Sequence, residues 1–156
     1  MSRTTPATLA LDRAGVAYTL ASYDYDPKGE RVGLQAAEAL GAPPGEVLKT
    51  LMVQADGKPA CVVLASDREV AMKKLAAALG AKTCEMMPVA DAERITGYRV
   101  GGVSPFGQKR SSPTVVDADA ATLPAAFVNA GQRGLQARLE PADMVAALGA
   151  IVAAVT

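Results

Sequence analysis

The sequence predicts an α/β protein of α+β character, with helices packed around one mixed, strongly curled β-sheet. Two observations support this class. Some segments have the apolar spacing and the proline, glycine or capping signals of helices, and others are short apolar runs bounded by turn residues, as strands are. The two kinds follow one another without strict alternation, which favours a mixed sheet. At 156 residues the chain fits a single domain, residues 1–156.

The N-terminal half is predicted to contain two helices, a strand and a hairpin. Pro6–Ala14 is the first helix, ended by Gly15, and "VAYTLASYDYD" follows as a strand. "GLQAAEALG" is a helix that Gly41 closes, and the two prolines that follow prevent its continuation. "EVLKTLMVQADGKPACVVLAS" predicts a hairpin, because two apolar strands flank an Asp56-Gly57 turn.

The C-terminal half alternates short helices and strands. "SDRE" has the spacing of a capping box, Ser66 to Glu69, for a helix that ends at Gly80. A short strand at Lys82–Met86 and a proline-started helix at Pro88–Thr96 come next. "PTVVDA", "AAFVNAG" and "GLQARL" predict three strands, "EPADMVAALG" a helix and "AIVAAV" a final strand.

Charge, aromatic content and hydropathy limit the classes of partner. The chain has 16 basic and 16 acidic residues, and this balance argues against bulk electrostatic capture of nucleic acid. Its 4 tyrosines and 2 phenylalanines are too few for an extended base-stacking surface. No apolar run approaches the length of a membrane helix, and the N-terminus has no secretory signal pattern. We therefore expect a cytoplasmic protein with neither DNA nor membrane as a partner.

The chain contains no histidine. This removes Ser-His-Asp and Cys-His nucleophile pairs and histidine-based zinc sites, and we expect neither a metal nor a cofactor. Cys61 and Cys84 both lie in apolar, strand-like contexts, which predict buried, inert thiols over nucleophiles.

Lys49 is the first candidate site residue. It lies within "VLKTLMV", a strand whose two faces are both apolar, and a buried ammonium is costly unless acceptors or an anion meet it. The sequence leaves two interpretations open: a lysine that lines a pocket, or a strand-end lysine that reaches water.

The glycine-rich stretch "TGYRVGGVSPFGQK" is the second candidate. Gly101 and Gly102 permit positive φ or a close approach of a ligand to the main chain, and their N–H groups could hold an oxyanion. A plain surface loop is the alternative. The stretch matches neither nucleotide-binding glycine pattern.

Weaker signals are polar or basic. Tyr23 lies in "SYDYDP", where its side chain could line a cleft or belong to a solvated turn, and Asp143 lies in the first turn of a helix, which helix-dipole stabilisation alone explains. A basic rim for phosphates, or simply a solvated surface, could be formed by Lys73, Lys74, Lys109, Arg110 and Arg133.

Four segments, "LKTLMV", "GYRVGGVSPFGQK", "FVNAGQRGL" and "LEPADM", resemble in order and spacing the YbaK/ProX family, free-standing relatives of the editing domain of bacterial prolyl-tRNA synthetases. The resemblance covers the chain from the Tyr23 strand to the last helix. It implies a barrel-like sheet surrounded by helices, and hydrolysis of the ester that joins a wrong amino acid to tRNA, usually tRNA(Pro). The glycine-loop form is similar to that of Cys-tRNA(Pro) deacylases.

The resemblance also implies a mechanism and roles for residues. Cysteine is close to proline in size, so an activation pocket rejects it weakly and a second site must correct the error. In the family's mechanism the thiol of the cysteinyl group attacks the ester carbonyl of the same substrate. The ribose hydroxyl of the tRNA is released and cysteine departs as a cyclic thiolactone. This reaction would also class the enzyme as a lyase. Lys49 matches the pocket lysine near the tRNA 3′ end, and Gly101 and Gly102 match glycines that approach the aminoacyl group. Polar positions around that pocket are matched by Tyr23, Thr50, Ser104 and Asp143.

One position departs from the family pattern, since Tyr25 stands where members often have histidine. The implied partners are aminoacyl-tRNA, in particular tRNA(Pro), and prolyl-tRNA synthetase. The alternatives are deacylation of Ala-tRNA(Pro) or Ser-tRNA, and a non-catalytic module that binds aminoacyl-tRNA or the synthetase. An ordinary small-molecule hydrolase is disfavoured by the missing histidine and nucleophile elbow.

Overall fold

The computed structural model describes residues 3–28 and 32–156. Its helices are α1 (Pro6–Ala14), α2 (Val32–Leu40), α3 (Met72–Leu79), α4 (Val89–Thr96), α5 (Ala118–Ala121) and α6 (Pro141–Leu148). Its strands are β1 (Tyr18–Ser22), β2 (Leu48–Ala55), β3 (Lys58–Ala65), β4 (Cys84–Met86), β5 (Thr114–Asp117), β6 (Ala126–Gln132), β7 (Leu135–Leu139) and β8 (Ile151–Ala153). A single 3-10 turn, Pro44–Glu46, precedes β2.

The larger sheet has five strands in the order β4-β2-β3-β5-β8. The predicted hairpin forms β2 and β3, which pair antiparallel from Leu48–Ala65 to Ala55–Lys58. β4 adds antiparallel to β2, whereas β5 pairs parallel with both β3 and β8. The sheet is therefore mixed, as the irregular alternation of elements predicts, and its central strands bury Val62, Val63 and Leu64 completely.

The smaller sheet has three antiparallel strands in the order β1-β7-β6. In the described part of the chain, the backbones of the two sheets are joined by one parallel bridge. It pairs Val47, the residue before β2, with Phe127 in β6. The mixed α/β class is confirmed, but the strands form two sheets and neither closes into a barrel. The expectation of one curled, barrel-like sheet is corrected here, because a single bridge at the end of β2 is too little pairing to continue one sheet into the other.

Local signals define most helix ends correctly, with one exception. Gly15, Gly80 and Gly149 end α1, α3 and α6 in the left-handed conformation that glycine adopts easily. The predicted capping box at Ser66 does not form, because the Ser66 hydroxyl donates instead to the carbonyl of Val47 at 2.5 Å and α3 begins at Met72. No helix in the described part of the chain is long and apolar enough to cross a membrane.

The hairpin turn between β2 and β3 forms hydrogen bonds with the segment that leads into β4. The Asp56 carboxylate accepts hydrogen bonds from the backbone N–H groups of Lys82 and Thr83 at 3.0–3.1 Å. These bonds hold the pKa of Asp56 below its usual value. The hydrogen bonds therefore stabilise the ionised carboxylate, which is the form present at neutral pH.

The glycine-rich segment forms a fixed loop between α4 and β5. The Tyr98 hydroxyl donates to the carbonyl of Phe106 at 2.6 Å, and the Ser104 hydroxyl accepts from the Phe106 N–H at 3.1 Å. Gly107 has φ +65°, and a Cβ there would collide with the backbone of Pro6 in α1. Hydrogen bonds and close packing thus define the course of this loop, which we call the glycine loop (residues 97–109).

Candidate active site

A cleft of about 640 Å³ opens where β2 of the larger sheet meets β6 and β7 of the smaller one. Its walls come from β2, from the turn after β3, from α4 and from the glycine loop. Much of the lining is apolar, and the exposed side chains of Met86, Val89 and Val100 form part of it. Such a mostly apolar cleft with a few polar groups is the usual form of a small-ligand site.

Lys49 lies in the wall of this cleft, together with Leu48 and Thr50 on either side of it in β2. Its backbone pairs with Leu64 of the fully buried part of β3, and the lysine side chain is half-buried. The structure therefore places Lys49 in the wall of the cleft, as the second residue of β2. Its chemical role stays a prediction.

Gly101 and Gly102 differ in their surroundings. Gly101 lines the cleft with φ +93°, and a Cβ on it would lie 2.8 Å from the Tyr25 hydroxyl oxygen. Gly102 is buried, and its Cβ would lie 2.8 Å from the backbone nitrogen of Arg133. The space beside both glycines is thus filled by the protein itself, so only the main chain of Gly101 remains to face a ligand.

Asn129 connects the glycine loop to the smaller sheet. Its amide nitrogen donates to the carbonyl of Gly101 at 3.2 Å, and its amide oxygen accepts from the N–H of Gly131 at 2.7 Å. The second bond spans the irregular register in β6 between Asn129 and Gln132. Asn129 therefore holds the Gly101 carbonyl in place at the cleft wall.

Three buried side-chain atoms near the cleft have no partner that meets hydrogen-bond geometry: Tyr23 Oη, Thr50 Oγ1 and Gln136 Oε1. Thr50 and Gln136 line the cleft. Burial raises the pKa of Tyr23, a side-chain contact with Gln136 outside regular hydrogen-bond geometry lowers it, and the charge of Tyr25 raises it. The Tyr23 hydroxyl thus stays protonated at neutral pH. Buried polar atoms without partners are rare in folded proteins, and a bound polar ligand is one cause of them.

Ser104 and Asp143, which the family resemblance matches, lie away from the cleft lining, and Gly102 and Tyr23 are not part of that lining either. Ser104 is fully buried, and its hydroxyl closes a turn within the glycine loop. Asp143 lies in the first turn of α6, which packs against α5 beside the far edge of the larger sheet. The structure therefore gives both residues a structural explanation and does not bring them together with Lys49.

The five basic candidates are spread over three elements. Lys73 and Lys74 lie on α3, and the Lys74 ammonium donates to the carbonyl of Thr156 at 2.8 Å. Lys109 and Arg110 are exposed, and their backbone N–H groups bond to the end of α4. Arg133 touches the cleft wall directly, since its Nε donates to the carbonyl of Val100 at 2.9 Å.

The cysteine thiols are poor nucleophiles. Cys61 is fully buried, and burial raises the pKa of its thiol to about 12. Cys84 is partly buried, and burial again raises its pKa, as does the charge of Asp56. Both thiols are therefore protonated at neutral pH, in agreement with the prediction of inert cysteines.

Sequence reasoning missed Asn129 and Gln136. Each is a polar residue in an otherwise apolar strand, "AAFVNAG" and "GLQARL", as Lys49 is in its own strand. The same signal could have identified all three. In a three-stranded sheet with one solvated face, however, an isolated polar residue normally points outward, so the signal is weaker there.

The fold and the cleft define a small mixed α/β domain with a lysine and a glycine loop at an apolar cleft. Residues 31–147 match the aminoacyl-tRNA editing domain, and the chain belongs to that family. The resemblance to YbaK/ProX proteins is thereby confirmed.

Two relatives illustrate the range of the family. EbsC of Enterococcus faecalis, named as a candidate Cys-tRNA(Pro)/Cys-tRNA(Cys) deacylase, is 41% identical over 106 residues, which are 67% of this chain and 65% of EbsC. The proline–tRNA ligase of Acidithiobacillus ferrooxidans is 32% identical over 106 residues, which are 68% of this chain and 19% of the ligase. The chain thus spans just under two thirds of the first relative and about a fifth of the second.

Two solved structures share the fold. A candidate trans-editing enzyme for prolyl-tRNA synthetase superposes with a TM-score of 0.85 at 23% identity, and the match covers 99% of both chains. Hypothetical protein APE2540 superposes with a TM-score of 0.85 at 25% identity, over 97% of this chain and 99% of the other. These matches support the mixed α/β class.

Proposed function

We propose that this protein hydrolyses the ester between a wrongly attached amino acid and tRNA, and that its main substrate is Cys-tRNA(Pro). The observation that carries the proposal is the cleft of an editing-family domain in which Lys49, Thr50, Gly101 and Gln136 meet. The family match supports the reaction class. The name of EbsC supports cysteine as the amino acid.

The lack of histidine and the high pKa of the buried thiol favour chemistry by the substrate. The chain has no histidine, and the Cys61 thiol has a pKa of about 12. In a cysteinyl ester, the substrate's own sulfur can attack its carbonyl carbon, so that a C–S bond forms and the C–O bond to the ribose breaks. The thiol proton passes to the leaving ribose oxygen, and water later opens the thiolactone to free cysteine. The protein then has to orient the ester and stabilise charge.

The cleft residues fit these two tasks. The Lys49 ammonium would hold the anionic 3′ end of the tRNA, so that the ester lies against the main chain of Gly101. Thr50 Oγ1 is a buried oxygen without a partner, and the ammonium group of an amino acid supplies an N–H donor that would satisfy it. The apolar part of the cleft would surround the short cysteine side chain and exclude water.

The proposal also covers where the reaction takes place and which partner selects the tRNA. Residues 1–156 would act as one editing domain in the cytoplasm, in trans to prolyl-tRNA synthetase. The synthetase would supply most of the selection of tRNA(Pro), because the net charge of the chain is zero and its basic candidates are dispersed.

A panel of charged tRNAs tests the proposal. Purified protein is mixed with Cys-, Ser-, Ala- and Pro-tRNA(Pro), and the release of amino acid is measured. Cysteine and serine differ only in sulfur against oxygen, so we expect fast release of cysteine and release of serine slower by at least about tenfold. Equal release of cysteine and serine would overturn the thiol mechanism. No release from any of the four would favour the non-catalytic binding module.

A further inference from the structure

The Arg133 guanidinium lies over the Tyr25 ring beside the cleft, in a cation–π contact. The Arg133 guanidinium carbon lies 5.1 Å from the centre of the Tyr25 ring. Arg133 is exposed, whereas Tyr25 is half-buried, so the arginine is the more accessible member of the pair. We call this pair the Arg133–Tyr25 stack.

The stack is held in place by the backbone around it. The N–H of Tyr23 donates to the carbonyl of Gly134 at 2.9 Å, which aligns the chain before Tyr25 with the turn that carries Arg133. Gly134 has φ +78°, and a Cβ there would lie 2.5 Å from the carbonyl oxygen of Tyr23. The Arg133 side chain is further fixed by its Nε bond to the carbonyl of Val100. A flat surface that is already ordered loses little entropy when it binds a ligand.

The position of the stack links it to the cleft. The Tyr25 hydroxyl lies against Gly101, and Arg133 bonds to Val100, and both of these loop residues line the cleft. Val100 is also 40% exposed and adds an apolar surface next to the guanidinium. A ligand whose reacting part lies at Gly101 therefore has its neighbouring group at the stack.

The chemistry of the stack selects a flat aromatic group. A guanidinium plane backed by an aromatic ring binds nucleobases by stacking, which an ammonium cannot reproduce. A phosphate, by contrast, can also be bound by the point charge of a lysine, although without the bidentate geometry of arginine. In an aminoacyl-tRNA the terminal adenine is separated from the ester by one ribose.

We propose that the Arg133–Tyr25 stack is the subsite for the terminal adenine of the aminoacyl-tRNA substrate. This inference rests on the proposed function for the identity of the substrate. It assigns Tyr25 a role in binding, as the ring that supports Arg133.

Three esters of the same amino acid test the subsite kinetically: Cys-tRNA(Pro), cysteinyl-adenosine and cysteine ethyl ester. In Arg133→Lys we expect the rate at low substrate to fall about tenfold more for the two adenosine esters than for the ethyl ester, which is the scale of stacking on one base. The matched control is Arg138→Lys, because Arg138 forms the other stack, 6.0 Å from the ring centre of Phe127, and lines a different surface depression. It should lower all three rates equally or not at all.

A binding measurement separates this inference from the proposed function. Adenosine and ribose are titrated into the wild-type protein and into Arg133→Lys, and the NMR shifts of the glycine loop are followed. Adenosine should bind the wild type about tenfold more tightly than the variant, and ribose should show no difference. Adenosine that binds no better than ribose would overturn the subsite, whether or not the protein is a deacylase. Equal losses for all three esters in Arg133→Lys would also overturn it, because Arg133 would then act only by positioning Gly101.

Discussion

Replacing Gly102 with alanine should weaken the fold, because no room exists for the added methyl group. The ideal Cβ would lie 2.8 Å from the nitrogen of Arg133 and 3.0 Å from the carbonyl carbon of Gln132. Both are backbone atoms, so no side chain can rotate away. The glycine loop and the turn between β6 and β7 would have to move apart.

The size of the effect follows from this overlap. Forcing one extra methyl group into a packed site typically costs about 1–3 kcal/mol. In a domain of this length each kcal/mol lowers the melting temperature by roughly 2–4 °C, so we expect a decrease of roughly 2–12 °C. The free energy of unfolding is measured by urea denaturation followed by circular dichroism, with an unchanged slope as the sign of an intact two-state transition.

Gly45→Ala is the control for this substitution. A Cβ on Gly45 has no heavy atom within 4 Å, and its φ is outside the left-handed region. Its free energy of unfolding should change by less than about 0.5 kcal/mol. If Gly102→Ala were as stable as the wild type and yet inactive, the methyl group would have to occupy ligand space, and our reasoning about the loop would be refuted.

Three further predictions concern the lysine, the thiols and the hairpin turn. Lys49→Ala should lower deacylation at least about tenfold, the scale of one charge-assisted contact, with the far-UV spectrum unchanged; a rate within about twofold of the wild type would remove Lys49 from the site. The Cys61→Ala, Cys84→Ala double variant should retain the chemical step, and its loss in a folded variant would point to a protein nucleophile. Asp56→Ala should lower stability at pH 7, and the loss should shrink as the pH falls through the lowered pKa of Asp56, because the hydrogen bonds favour the ionised carboxylate only above it. An equal loss at pH 7 and at pH 3 in urea titrations would contradict this assignment.

Local chemistry made most of the fold predictable. The left-handed glycines that end α1, α3 and α6, and the turn at Asp56-Gly57, are set by a few neighbouring residues. Strand pairing across the chain is not, and so the division into two sheets could not be derived from the sequence. The same is true of Ser66, whose hydroxyl bonds to Val47 across the sheet although its local sequence favours a helix cap.

The site was predictable to a similar extent. Lys49 was found because a charged residue in a strand with two apolar faces has few explanations. Gln136 was missed because it alternates with apolar neighbours and could equally point to solvent, whereas the structure buries it at 4% exposure. Gly102 was singled out for an approach to a ligand, whereas the atoms that require a glycine there belong to a turn of the protein that is distant in sequence.

The contact between Gly107 and Pro6 determines where this domain can be cut if it is to be fused to another protein. The segment that matches the family begins at residue 31, whereas α1 lies before it and forms the floor under the glycine loop. Thr5 also donates to the carbonyl of Ala130, and Leu11 is completely buried. A fragment that begins at residue 31 would lack α1. The apolar surface that α1 covers would be exposed, and the glycine loop would lose the helix on which it packs. Grafting this domain onto a synthetase therefore requires that the N-terminal helix be included for support, even though α1 contributes no group to the cleft lining.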